Sequence, residues 1–81
     1  MSADKLVRMA NQIAIFFRTQ ADDAAVAAVA DHIKSFWSPV MRRDIYAHVR
    51  AGGEGLDPLA RRGIDALMAR DPIGKSVTKQ Q

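Results

Sequence analysis

Few side chains of this sequence could take part in catalysis, and the strongest pair is His48 with Asp44. The two residues are four positions apart, so in a helix they lie on one face. There a carboxylate can orient an imidazole as a general base. No Ser, Thr or Cys nucleophile is indicated beside them. We therefore interpret His48 as a partly buried histidine paired with Asp44, not as a catalytic base.

Two glycine-containing segments have the composition of phosphate-binding loops. Residues 69–76 read A-x-x-x-x-G-K-S, which fits a relaxed P-loop pattern. A P-loop, however, follows a strand and precedes a helix whose N-terminus holds phosphate. Here a helix is predicted before the segment, and only five residues follow it. Residues 52–55, G-G-E-G, also lack a preceding strand, so we interpret them as a helix C-cap and turn.

Composition limits the remaining chemistry. The 81 residues include no Cys and two His, and they carry a net charge of +3 with a pI near 9.8. Disulfides, thiolate metal sites and Cys nucleophiles are excluded, and two His without clustered carboxylates do not make a zinc site. We expect no metal, no cofactor and no catalytic residue in this chain. Its mild basicity is weak support for an anionic partner.

The small size of the chain indicates a partner protein. A domain of this length buries only about 60% of its unfolded surface, and such domains commonly depend on disulfides, a metal or a partner. With the first two excluded, a partner is the expected source of stability. No apolar window approaches the ~18 residues of a membrane span. No secretory signal is visible, so we expect a cytoplasmic protein.

Helical periodicity dominates the sequence and predicts an all-α domain of four short helices. The first is expected at about residues 3–18, and the third and fourth end near residues 50 and 70. Gly63 falls inside the fourth helix, where it indicates close packing. We assign residues 1–71 to the helical domain and 72–81 to a disordered tail. The helix-start signals are Ser2, Asp22, Ser38-Pro39 and Asp57-Pro58.

The third predicted helix has a basic face. Arg42, Arg43, Tyr46 and Arg50 fall within about 100° of its surface. Arg and Tyr are enriched at protein interfaces, and the same set could contact phosphate, with Tyr stacking on bases. A third interpretation is an ordinary solvated basic face.

Two aromatic pairs, Phe16-Phe17 and Phe36-Trp37, widen the apolar faces of the first two helices. Adjacent residues differ by about 100° on a helix, so only a broad face buries both members, and one member can reach the surface. Core packing is the expected role of most of these aromatics, with Phe36 and Trp37 largely on the apolar stripe of the second helix. Ile15 lies opposite the apolar face of the first helix.

We predict that the chain docks onto a partner around the corner between the second and third helices. The alternative is a small basic helical module that binds nucleic acid or regulates another protein. Acidic residues interleaved along the chain count against nucleic acid, and no recognition helix stands out. The predicted interface residues are Ile15, Phe36, Trp37, Pro39, Met41, Arg42, Arg43, Tyr46 and Arg50.

Three blocks of the sequence resemble a known family. They are KLVRMANQIAIFF at 5–17, VADHIKSFWSPVMRRDIYAHV at 29–49 and GGEGLDPLARRGIDAL at 52–67. In order and spacing they resemble the small delta subunit of cytoplasmic NAD-dependent formate dehydrogenase. One departure is Val40, where a basic residue is usual. The resemblance implies membership of a multi-subunit molybdenum or tungsten enzyme that oxidises formate to carbon dioxide and reduces NAD.

The resemblance also implies a division of labour among subunits. Molybdopterin and the iron–sulfur clusters would belong to the large alpha subunit, and FMN and NAD to the beta and gamma subunits. The delta subunit would carry no cofactor and would support assembly or stability of the complex. The residues agree, because the chain has no cluster ligands and no dinucleotide fingerprint. We therefore expect a non-catalytic accessory subunit whose partners are the alpha, beta and gamma subunits.

Overall fold

The computed structural model describes residues 2–74 and confirms the all-α prediction. Its four helices are α1 (Ala3–Phe17), α2 (Asp22–Phe36), α3 (Pro39–Arg50) and α4 (Pro58–Arg70). Residues 72–74, which the sequence assigned to the tail, form a further helical turn. The rest of the predicted tail, 75–81, lies outside the described residues. No helix within 2–74 is both long and apolar enough to cross a membrane.

Three helices begin with the predicted capping chemistry. The side chains of Ser2, Ser38 and Asp57 each accept a hydrogen bond from a backbone N–H of the first turn, at 3.3, 3.2 and 3.0 Å respectively. Each bond satisfies an N–H group that a helix start leaves without an intrahelical partner. Pro39 and Pro58 occupy the first turns of α3 and α4, where no such N–H is needed. Local sequence therefore sets where α1, α3 and α4 begin.

The glycine-rich segment after α3 is a helix end and a turn, as predicted. Gly53 has φ +66° and donates its N–H to the His48 carbonyl at 2.9 Å, which is the left-handed cap that glycine favours. It is also buried, and the Arg61 side chain lies beside it: a Cβ at this position would be 2.8 Å from Nη1 of Arg61. The second glycine pattern, 69–76, begins in the last turn of α4 and not after a strand, and its residues 75 and 76 lie outside the described part of the chain.

α2 and α4 form the most extensive helix pair of the fold and run in the same direction. Asp22 pairs with Arg62 near the start of both helices, and Asp31 pairs with Arg70 near their ends, each at 2.8 Å. These side chains are largely exposed, so the pairs contribute little stability. They nevertheless show the register in which the two helices lie.

Gly63 allows this close approach, as the sequence predicted. It is buried in α4, and a Cβ placed on it would lie 2.7 Å from the Cβ of Val29 in α2. No larger residue fits at that distance without moving one helix. The apolar core closes around this contact and draws residues from all four helices. Its buried members are Leu6, Val7, Ala10, Ala14, Val29, Ala30, Ile33, Trp37, Ile45, Tyr46, Val49, Ala60, Ile64, Leu67 and Met68.

Replacing Gly63 with Ala is expected to lower the free energy of unfolding by about 1–3 kcal/mol because the added Cβ overpacks the contact with Val29. This loss should appear although Ala is the better helix former by about 1 kcal/mol. Urea unfolding followed by far-ultraviolet circular dichroism measures the change. Ala66→Gly, on the exposed side of the same helix, is the control for helix propensity alone. A Gly63→Ala protein more stable than wild type would contradict the close packing.

Candidate interaction site

A buried network of hydrogen bonds joins the corner between α2 and α3 to the end of α4. The Tyr46 hydroxyl donates to Oδ2 of Asp71 at 2.7 Å, and Nε of Arg42 donates to the same oxygen at 2.9 Å. Nη1 of Arg42 also donates to the Trp37 carbonyl at 2.9 Å. Oδ1 of Asp71 accepts the Ile73 N–H at 3.1 Å. One carboxylate thus joins the start of α3, the turn at 72–74 and, through Arg42, the end of α2.

The bonding of Asp71 compensates for its burial. Only 2% of its surface is exposed, and a buried carboxylate is costly unless it is paired and hydrogen-bonded. Burial raises the pKa of Asp71, but the hydrogen bonds from Tyr46, the Ile73 N–H and Arg42 outweigh it and leave the pKa lowered. The carboxylate is therefore charged in the folded protein at neutral pH, and Arg42 supplies the opposite charge.

The pKa of Asp71 is lowered, whereas burial and the contact with Asp71 raise the pKa of Tyr46. Its side chain is fully buried. Burial raises the pKa of the Tyr46 hydroxyl well above its usual value of 10.0, and the adjacent Asp71 carboxylate raises it further. Tyr46 is consequently a neutral hydrogen-bond donor throughout the physiological range.

Three predicted interface residues, Trp37, Arg42 and Tyr46, lie inside the molecule and not on its surface. Trp37 belongs to the core, and the side chain of Arg42 is about one-tenth exposed. The prediction that Arg42 and Tyr46 face outward with Arg43 and Arg50 is therefore wrong. The four residues do lie within about 100° of the surface of α3. Within that arc, Arg42 and Tyr46 face Asp71, whereas Arg43 and Arg50 are exposed.

The predicted pairing of His48 with Asp44 is also wrong. Nε2 of His48 lies 2.8 Å from the Glu54 carbonyl oxygen, and because a carbonyl can only accept, Nε2 carries the proton of this bond. His48 is half-buried, as expected, and borders an open cleft with Asp4, Arg8 and Glu54. The imidazole therefore holds the turn after α3 and is not oriented by a carboxylate for base catalysis.

An exposed aromatic patch lies between α1 and α2. We define it as Phe16, Phe17, His32 and Phe36, whose rings contact one another in that order with centroid distances of 4.9, 6.1 and 4.7 Å. Phe16 is 75% exposed and Phe36 is 74% exposed. Each aromatic pair thus has one member at the surface, which the sequence allowed. Placing Phe36 on the buried stripe of α2 was wrong, because that stripe continues to Trp37.

The remaining predicted interface residues divide by exposure. Pro39, Arg43 and Arg50 are exposed, and Ile15 is 52% exposed on α1. Met41 is half-buried against the core. The surface available to a partner is therefore smaller than the predicted set, although part of that set remains on it.

Sequence reasoning missed Asp71, Phe16 and His32. The sequence marks residue 71 only as the end of the helical domain, and nothing local indicates that Asp71 pairs with side chains 25 and 29 positions earlier. Phe16 could have been identified as exposed, because its pair with Phe17 requires a broad buried face.

Within residues 2–74, no group of three or more His, Cys, Asp or Glu side chains is placed to hold a metal ion.

Comparison with known proteins gives one match. The model of the NADH-dependent formate dehydrogenase delta subunit family (FdsD) matches residues 5–64. No curated protein and no solved structure matches the chain. The matched range contains α1 from its third residue, all of α2 and α3 and the first half of α4, together with the aromatic patch. Asp71 lies beyond it.

Tyr46 is the single tyrosine of the chain, so tyrosinate absorbance reports its ionisation alone. Its folded pKa is raised above the unfolded value, so its contribution to stability is present below about pH 10 and is lost as the pH rises further. We expect ionisation of the native protein at higher pH than in urea, together with loss of helical circular dichroism. Native Tyr46 that titrates near pH 10 with helicity intact would show that its hydroxyl is not buried.

Asp71→Asn is expected to lower the free energy of unfolding at pH 7 by about 1–3 kcal/mol because it leaves buried Arg42 without its opposite charge. The folded pKa of Asp71 is lowered, so its contribution is present above about pH 4 and is lost as the pH falls through the folded pKa. Wild-type stability should therefore decline in acid more steeply than that of Asp71→Asn. Chemical unfolding between pH 2 and 7 measures this.

The control for the acid dependence is Asp65→Asn, whose carboxylate is half-exposed and, among residues 2–74, pairs with Arg61. This exposed pair should change stability little at any pH. Equal effects of Asp71→Asn and Asp65→Asn would contradict the role given to the buried network.

Proposed function

Because the chain belongs to the NADH-dependent formate dehydrogenase delta subunit family, we propose that it is a non-catalytic accessory subunit that supports assembly or stability of the holoenzyme. The observation that carries the proposal is the family match over residues 5–64. The geometry adds a surface suited to docking and gives the polar residues of the interior a structural role.

The aromatic patch is the docking surface in this proposal. Phe16 and Phe36 are both about three-quarters exposed and are linked through the rings of Phe17 and His32. Scattered apolar residues are normal on a surface, whereas contiguous apolar side chains mark contact sites. Aromatic side chains also contribute large contact area when a partner buries them. A patch that spans two helices presents this area on a rigid base.

The reaction itself would take place on other chains. The proposed partners are the alpha, beta and gamma subunits of a cytoplasmic formate dehydrogenase that converts formate and NAD to carbon dioxide and NADH. Molybdopterin, iron–sulfur clusters, FMN and NAD would be bound by those subunits. Arg42, Tyr46 and Asp71 are engaged with one another, which supports a structural role for the most polar part of the interior.

Phe16→Ser with Phe36→Ser is expected to leave the isolated chain folded, because both rings are exposed, and to weaken its association with formate dehydrogenase at least tenfold. Buried aromatic anchors commonly contribute about 1–2 kcal/mol or more each to an interface, and about 1.4 kcal/mol is tenfold in affinity. The measurement is a pull-down of the tagged full-length chain from its native host, with subunit identification and a formate-dependent NADH assay.

Ala66→Ser with Ala69→Ser is the matched control, since both alanines are exposed on α4. It should retain the partners. Ile15→Ser tests whether this exposed side chain belongs to the interface. If the wild-type chain is recovered alone, and its deletion leaves formate oxidation unchanged, the proposed function is wrong.

A further inference from the structure

The outer face of α3 carries a stripe of exposed residues next to the corner. We define the α3 basic stripe as Val40, Arg43, Ala47 and Arg50, all of them exposed. At 100° per residue these positions fall within about 80° of helix surface. The two guanidinium-bearing residues are seven positions apart, so their Cα atoms are separated by about 10.5 Å along the helix. The stripe therefore presents two cations in a fixed spacing.

Among residues 2–74, most arginines form ion pairs with carboxylates, and the two arginines of the stripe do not. Five of the eight arginines form ion pairs with carboxylates of the chain. Arg43 and Arg50 form none within the part of the chain that the structure describes. Arg8, which also forms none there, has Asp4 one turn before it. The paired arginines are Arg18, Arg42, Arg61, Arg62 and Arg70.

The stripe itself contains no carboxylate to offset this charge. The nearest one on α3, that of Asp44, lies about 40° beyond Val40 by helical geometry and is half-buried. The positive potential of Arg43 and Arg50 is thus directed outward, where it attracts an anionic surface. The exposed side chain of Val40 begins the stripe, and that of Phe36 is exposed at the end of α2 four residues earlier. Both can supply apolar contact to a partner.

We infer that the α3 basic stripe docks on a protein face that offers two carboxylates about 10 Å apart beside an apolar pocket for Val40 and Phe36. This inference rests on the proposed function and names the chemistry of the partner surface. Phe36 of the aromatic patch lies four residues before Val40, across the corner between α2 and α3, so one partner can contact both. Complementary charge fixes the orientation of such a complex and speeds association, while the apolar contact supplies most of the affinity.

A protein face fits these observations better than a nucleic acid does. Nucleic-acid binding without sequence preference uses a basic groove and aromatic side chains on which bases stack. Tyr46 is the aromatic residue of α3, and it is buried with its hydroxyl on Asp71. The α3 basic stripe therefore offers two cations and contains no aromatic ring of its own. Ala47 lies between the two arginines along the helix, and Val40 lies before them. Both are apolar and suit contact with an apolar protein surface.

The test compares two double variants that each remove two positive charges. Arg43→Gln with Arg50→Gln changes the stripe, and Lys5→Gln with Lys34→Gln changes two exposed lysines on α1 and α2. Full-length chain is titrated into formate dehydrogenase purified from a strain that lacks this chain, at low and at physiological salt. Circular dichroism checks that every variant is folded. The readouts are the dissociation constant and its dependence on salt concentration.

We expect the stripe variant to bind about fivefold to tenfold more weakly at low salt, because each of two exposed ion pairs contributes about twofold to threefold in affinity. Its salt dependence should be shallower than that of wild type, since fewer charges are paired in the complex. The lysine variant should stay within about twofold of wild type.

The outcomes separate this inference from the function on which it rests. If the stripe variant binds as wild type does, while Phe16→Ser with Phe36→Ser abolishes binding, the stripe has no role and the accessory function stands. If wild-type chain binds at neither salt concentration, both proposals are overturned. If the stripe variant instead loses binding to a duplex DNA or RNA probe that wild type binds, the commitment to a protein face is wrong.

Discussion

The fold depends on one buried carboxylate, that of Asp71. Its two oxygens accept bonds from Tyr46, Arg42 and the Ile73 N–H, and Arg42 reaches on to the Trp37 carbonyl. An ion taken out of water in this way is tolerated only when its partners are in place together. The end of α2, the start of α3 and the segment after α4 therefore have one compatible arrangement. Apolar contacts alone, which are non-directional, would specify this corner less closely.

This constraint also decides what the surface presents. Because Arg42 and Tyr46 turn inward towards Asp71, the neighbouring edge of the same arc of about 100° on α3 faces solvent and carries Arg43 and Arg50. Trp37 leaves the helical conformation with φ −91° and ψ 140°, and its indole enters the core. Phe36, one residue earlier and about 100° away on α2, is left outside. The exposed aromatic and basic features thus follow from the geometry of the buried corner.

The sequence predicts the helices well because their signals are local. Caps, helix-start prolines and the glycines at 52 and 53 act within a few residues, and each operates where it was expected. The face that α3 buries was predicted less well. Because α3 has few apolar residues, periodicity alone allows a buried face centred near Ile45 or one centred nearer Tyr46. Which face is buried depends on the pairing with Asp71. The hydrogen-bond partner of His48 was also hard to predict, because both the Asp44 carboxylate and the Glu54 carbonyl are candidate acceptors. The Glu54 carbonyl comes within reach only when the turn after α3 folds back.

The exposed phenylalanines connect the energetics of this small domain with its proposed role. Fully burying a Phe side chain contributes about 1.5–3 kcal/mol, and Phe16 and Phe36 are each about three-quarters exposed, so covering both would contribute about 2–4.5 kcal/mol. Domains are stable by only about 5–15 kcal/mol, and the smallest lie near the lower limit. A partner that covers the patch binds the folded chain and not the unfolded one, and it therefore stabilises the fold by mass action. Folding and docking would then be linked, because the buried network fixes the corner beside Phe36 while the partner would supply apolar burial that the isolated chain lacks.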